Sequence, residues 1–188
     1  MTTTIPKLRF HEPVRNLPGH PAGRSAEDRL ALHFARAFTD EQRGGESRAN
    51  MAIARQIPVN GYGIADIVAV NWESQTHPSL QAFLCEAKTT VFAFEVKLRD
   101  WRKAIMQANR YRFFAHVAIV VLPEDGCGAA LKFLDTFHVL DVGLWSFDVK
   151  SRRITSHFTP APAQPTDTRH AVSALRLVAK ASKALPIS

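Results

Sequence analysis

The sequence predicts an α/β domain: a mixed central β-sheet flanked by helices, in the order helix, three strands, helix, strand, helix, strands. Three observations lead there. Runs rich in β-branched and aromatic residues (51–59, 64–70, 91–98 and 116–122) alternate with stretches whose apolar residues recur at helical spacing. The first two runs are joined by a four-residue turn, so they form a local hairpin, whereas the later ones are separated by segments long enough for a helix. Local hairpins followed by a helical crossover build a sheet with both antiparallel and parallel pairs.

Each element has its own signal. Residues 1–24 hold four prolines (Pro6, Pro13, Pro18, Pro21) and two glycines, which reads as an extended arm. A helix then opens at Ser25, with Asp28 three residues on in a capping-box arrangement. Leu30, Phe34 and Phe38 give it an apolar face, and it ends before the Gly44-Gly45 pair. Met51 to Val59 reads as a first strand, Asn60-Gly61-Tyr62-Gly63 as a turn, and Ile64 to Val70 as a second strand. Residues 71–90, with Pro78, read as an insertion. Val91 to Leu98 is a third strand. Asp100 caps a helix running to about Phe114. His116 to Leu122 is apolar throughout, as a buried central strand should be. A helix over 129–139 and a closing hairpin (142–149, 154–158) follow. Pro160, Pro162 and Pro165 mark a linker, and 168–185 a final basic helix. The chain therefore divides into an arm (1–24), the α/β domain (25–159), and the linker with its helix (160–188).

Composition limits the functional classes. Apolar residues make up 46% of the 188, enough for a sizeable core. With 24 Lys+Arg against 17 Asp+Glu the formal charge is +7, which favours a polyanionic partner, because cations that neutralise phosphates release condensed counterions. Cys85 and Cys127 make neither a disulfide framework nor a metal-binding pair. No apolar stretch is long enough to span a membrane and no secretory signal opens the chain, so a cytoplasmic setting is expected. The eight histidines lack zinc-hydrolase spacing, and there is no phosphate-binding glycine loop.

The chemistry gathers in two strands. By strict alternation Asp66 shares a face with Ile64, Val68 and Val70, and a carboxylate on an apolar face is costly unless it is paired or binds a cation. Glu95 and Lys97, two apart, share a face of the third strand with Val91 and Ala93. If the two strands pair, two carboxylates and a lysine meet, and two carboxylates suit a hard cation such as Mg²⁺. Lys97 beside them can orient a water or help remove its proton. Each residue has a plainer reading: Asp66 as a structural ion-pair partner, Glu95 and Lys97 as a solvated edge, Glu27 as a first-turn acid opposing the helix dipole, Gln107 as part of a polar stripe with Lys103 and Arg110.

Asp66 followed by Glu95-Val96-Lys97 resembles the PD-(D/E)XK nuclease superfamily, over roughly residues 25–158. Gln107 and Tyr111 resemble the QxxxY element of one nuclease branch, and Glu27 stands where many members carry an accessory acid. Ala65 replaces the proline of the family name. The resemblance implies a restriction-endonuclease-like core and hydrolysis of DNA phosphodiester bonds, with RNA left open. It implies Asp66, Glu95, Lys97 and Gln107 as catalytic residues. Mg²⁺, or Mn²⁺ in its place, would be held by Asp66, Glu95, the Val96 carbonyl and Glu27. Lys103, Arg110 and Tyr111 would contact nucleic acid, although Tyr111 also reads as core. Glu86-Ala87-Lys88 repeats the ExK spacing, but its surroundings are poorer in β-formers and no such helix follows directly. The alternative is a nuclease-like module that binds DNA or protein without cutting. The final helix, with Arg169, Arg176, Lys180 and Lys183 opposite an apolar side, is expected to pack on the core or on a second copy, which leaves a homodimer open, and to turn its basic face to DNA.

Overall fold

The computed structural model describes residues 25–44, 50–72 and 89–181. The proline-rich arm, residues 73–88 of the expected insertion with Glu86-Ala87-Lys88, and Lys183 lie outside the described residues, while Asn71, Trp72 and Thr90 at the ends of that expected insertion are strand. The elements are α1 (Ala26–Gly44), β1 (Asn50–Val59), β2 (Gly63–Trp72), β3 (Thr90–Val96), α2 (Trp101–Tyr111), β4 (Val117–Pro123), a 3₁₀ turn (Glu124–Gly126), α3 (Gly128–Leu131), α4 (Leu134–Leu140), β5 (Gly143–Asp148), β6 (Arg153–Phe158) and α5 (Thr168–Ala181). Among the described residues no helix is long and apolar enough to cross a membrane.

The strands form one mixed sheet in the order β1-β2-β3-β4-β5-β6. β1, β2 and β3 are antiparallel, β3, β4 and β5 parallel, and β5–β6 an antiparallel hairpin. The two parallel joins are the two with helices between the strands, since only a crossover brings the chain back to the same end of the sheet. Helices cover both faces. On one, Leu30, Phe34 and Phe38 of α1 pack on Ile53, Ile67, Phe94, Val96 and Ile119. On the other, Ala104, Ala108 and Tyr111 of α2, Phe137 of α4, and Ala171, Ala174 and Val178 of α5 pack on Ala52, Val68, Val70, Ala93 and Val120. β4 serves both cores, Val117, Ile119 and Val121 towards α1 and Ala118, Val120 and Leu122 towards α2, which is why its sequence shows no polar alternation.

Two helix starts are fixed by side chains. The Asp28 N–H donates to Ser25 Oγ (2.9 Å) and the Ser25 N–H to Asp28 Oδ2 (3.4 Å), satisfying two amides that the helix leaves free. Asp100 does the same for α2, its carboxylate accepting from the Lys103 N–H at 3.1 Å. Such a cap is worth about 1 kcal/mol.

Elsewhere the fold departs from the expectation. The single helix expected over 129–139 is broken into α3 and α4 at Phe133, whose backbone (φ −121°, ψ 30°) leaves the helical region. The Phe133 ring lies 5.0 Å from Trp101, with the Arg102 guanidinium over both rings, and Phe137 is fully buried one turn later. Face alternation also fails in the first hairpin. Ala52 and Ala54 share a core with Ile57 and Val59, and Val68 and Val70 share that core with Ala65, while Ile64 is exposed. The phase of each strand therefore changes near Gln56 and Asp66. Gln56 has a left-handed backbone, φ +53°, which costs a non-glycine residue about 1–2 kcal/mol.

Candidate active site

The β2–β3 ladder runs from Asn71↔Thr90 to Ile67↔Phe94. The next residues, Asp66 and Glu95, face each other where the strands part. β2 stays with β1, while Glu95 and Val96 pair with Val120 and Val121 of β4. In the gap the Val96 N–H donates to Asp66 Oδ2 at 2.8 Å, taking a side chain in place of a β2 carbonyl. Asp66 Oδ1 accepts from Gln56 Nε2 at 3.0 Å.

Glu95 is 1% exposed. Its Oε1 lies 2.9 Å from Lys97 Nζ, and Lys97 Nζ also reaches Glu27 Oε2 of α1 at 3.4 Å. Its Oε2 is hydrogen-bonded to the Tyr111 hydroxyl of α2, which lies 2.8 Å from the Ile64 carbonyl as well. Pro58, opposite Ile64 in β1, has no N–H to offer that carbonyl. One phenolic proton thus faces two acceptors, and both are served only if Glu95 is protonated or if positive charge is brought to it.

The electrostatics agree. Burial, opposed by the Val96 N–H, Lys97 and Gln56, holds the Asp66 carboxyl above its usual range. Burial first and the Asp66 charge second do the same to Glu95. Burial opposes the ammonium form of Lys97, but the hydrogen bond to Glu95 and the charges of Glu95, Asp66 and Glu27 outweigh it and raise its pKa. Lys97 is thus held as a cation, suited to donate hydrogen bonds and to oppose negative charge, not to take up a proton. Three carboxylates against one ammonium leave a formal surplus of two negative charges. Arg55, also close to Asp66, is engaged with Asp28, donating to its carbonyl at 3.1 Å.

Of the residues singled out in the sequence, Asp66, Glu95, Lys97 and Glu27 come together. Val96 enters through its N–H. Among the described residues no three His, Cys, Asp or Glu side chains converge as a ready-made ligand set, and Glu27 is engaged by Lys97. Gln107 is half-buried one turn before Tyr111, and its Oε1 is buried with no partner among the described residues. Lys103 and Arg110 are exposed on α2. Tyr111 requires a correction: at 1% exposure, with its hydroxyl on Glu95 and Ile64, it supports the site from below and presents nothing to a nucleic-acid backbone. Gln56 and Arg55 were missed. Their signal was available: they are the two polar side chains inside an otherwise apolar run, as Asp66 is in the next strand. Comparison of the chain with protein-family models, characterised proteins and solved structures finds no match to any of them.

Proposed function

We propose that this protein is a metal-dependent nuclease that hydrolyses DNA phosphodiester bonds at the Asp66–Glu95–Lys97 cluster. The observation that carries the reading is the pair of carboxylates at the parting of β2 and β3, Glu95 buried and Asp66 half-buried, flanked by a lysine held as a cation that, with Glu27 counted, leaves the cluster a surplus of two negative charges. The donor set fits Mg²⁺ or Mn²⁺: these ions take hard oxygen ligands and use one or two carboxylates, with water and substrate phosphate completing the shell. Asp66 and Glu95 would hold the ion, which supplies positive charge to the phosphoryl oxygens and acidifies water.

The remaining work falls to the chain itself. The Val96 N–H and Gln56 fix the Asp66 carboxylate. Tyr111, kept protonated by burial and by the Glu95 charge, fixes one oxygen of Glu95. Lys97 can donate to an attacking water or to a phosphoryl oxygen as negative charge builds, an effect worth about 10²–10³ in rate when such a donor is removed. Glu27 shares the Lys97 ammonium with Glu95, at 3.4 Å against 2.9 Å.

A second reading has its own observation. Lys97 bridges Glu95 and Glu27 while Tyr111 holds Glu95, so the network also serves as an internal polar tie in a module that binds DNA without cutting. Incubation with Mg²⁺ or Mn²⁺, with and without EDTA, on circular, linear and single-stranded DNA and on RNA separates the two. Metal-dependent cleavage of DNA supports the nuclease. Binding with no cleavage of any substrate supports the module, and cleavage confined to RNA would replace the substrate.

A further inference from the structure

Gln56 occupies the β1 position opposite Asp66: Arg55 pairs with Ile67 and Ile57 with Ala65, and Gln56 lies between them. Among the described residues it is the one non-glycine with positive φ inside a strand, the others being Asp141 at the end of α4 and Arg152 in the β5–β6 turn. A glutamine gains nothing locally from a left-handed backbone, since its side chain is too long for the short polar contacts that favour Asn and Asp there. The hairpin is paired on both sides of it, from Asn50↔Trp72 to Val59↔Gly63. What the strained conformation does achieve is specific: it turns the side chain so that Nε2 donates to Asp66 Oδ1 at 3.0 Å. Strain retained in an otherwise regular element is a mark of a functional constraint.

The chemistry of that contact matters. With Oδ2 held by the Val96 N–H and Oδ1 by Gln56, both oxygens of Asp66 are oriented by neutral donors. An arginine or lysine in the place of Gln56 would also orient the carboxylate, but it would cancel its charge and repel a cation. A neutral amide fixes direction, leaves the charge in place, and leaves a second lone pair on each oxygen. Outer partners of this kind commonly govern metal affinity by 10–100-fold.

We infer that Gln56 is a positioning residue that holds the Asp66 carboxylate in the orientation needed to receive a divalent cation. The inference rests on the reading that Asp66 and Glu95 bind one. Gln56→Gly in the full chain removes the amide and also removes the penalty of the left-handed backbone. Gln56→Asn tolerates that backbone but is one methylene too short to reach Asp66. Three measurements on each variant decide the matter: thermal melting, the amide signal of Val96 in a ¹H–¹⁵N spectrum without metal, and Mn²⁺ affinity by calorimetry. The melting temperature is expected to hold or rise. The Val96 amide proton is expected to move upfield as its acceptor loosens, and Mn²⁺ affinity to fall by about tenfold. A Val96 signal unmoved in both variants overturns the inference, as does a moved signal with wild-type Mn²⁺ affinity. Loss of folding in both would assign Gln56 a structural role and overturn it too. If the wild-type chain takes up no Mn²⁺, the proposed function fails, while the Val96 signal still decides whether Gln56 orients Asp66.

Discussion

At Glu95 burial and charge oppose each other most directly, because the side chain is closed off from water and lies beside a second carboxylate. A carboxyl whose folded pKa is raised stabilises the fold below its unfolded value, and that contribution is lost as pH rises through the folded value. Above the ordinary carboxylate range and without metal, the Glu95 carboxyl therefore costs the fold stability. Glu95→Gln, which keeps the shape and an acceptor for Tyr111, is expected to raise the metal-free melting temperature by about 2–4 °C if ~1 kcal/mol is relieved, and to abolish any further rise on adding Mg²⁺. A drop on substitution would mean that the Lys97 pair outweighs burial. His116 works with the opposite sign. Its Nδ1 accepts from the Val91 N–H at 3.0 Å, its Nε2 has no partner among the described residues, and burial pushes its pKa down. Its contribution is complete above the ordinary imidazole value and is lost as pH falls below that value towards the folded one. Melting curves from pH 7.5 to 5 should be flatter for His116→Gln than for wild type, and equal slopes would contradict this. The residues of the cluster were legible because an acid in an apolar strand is conspicuous. Gln56 was conspicuous in the same way, as a polar side chain inside an apolar run, but its role was not legible, because that depends on a backbone conformation that its residue type does not announce. Tyr111 was misplaced because helical spacing shows which residues share a line but not which side of that line faces the sheet.

At the scale of elements, the capped helices and the apolar strands followed the sequence closely, since caps and periodicity are local signals. The helix expected over 129–139 did not, because the stacking of Phe133 on Trp101 and Arg102 is a tertiary contact between residues some thirty apart, invisible to local pattern. α5 shows both kinds of information. Its apolar side packs on β1 and β2, burying Ala171, Ala174, Leu175 and Val178, while Arg176, Lys180 and Arg169 face outward, the last with its side chain 91% exposed. The strap before it is tied down as well, the Ala163 N–H donating to the His116 carbonyl and the Asp167 N–H to that of Phe113. Deleting α5 would therefore open the core, so its charge must be tested by substitution. Arg169→Glu with Arg176→Glu should leave melting unchanged, weaken DNA binding, and reduce the slope of log K against log salt by about 1–2 if one or two phosphate contacts are lost. An unchanged slope would mean that these charges serve only to keep the surface solvated.

For the whole molecule, the topology explains why the cluster stands where it does. β3 pairs with β2 only as far as Phe94 but with β4 as far as Val96, and the point where the β2 ladder ends is the one that Tyr111 of α2 and Glu27 at the start of α1 reach. Four elements thus supply Glu27, Asp66, Glu95 with Lys97, and Tyr111 to one notch, although the residues span 27 to 111 in the chain. The order of elements was readable in advance. The parting of the strands was not, because it depends on two strands changing phase together. The central claim is that this notch cuts DNA with a bound divalent cation, and the measurement that addresses it most directly is cleavage of supercoiled circular DNA by wild type, Asp66→Asn, Glu95→Gln and Lys97→Ala in Mg²⁺. Wild type is expected to cut and to be silenced by EDTA. The two carboxylate variants are expected to bind DNA without detectable cutting, and Lys97→Ala to lose about 10²-fold or more in rate. Undiminished cutting by Glu95→Gln, or a folded wild-type protein that cuts no DNA in Mg²⁺ or Mn²⁺, would contradict the claim.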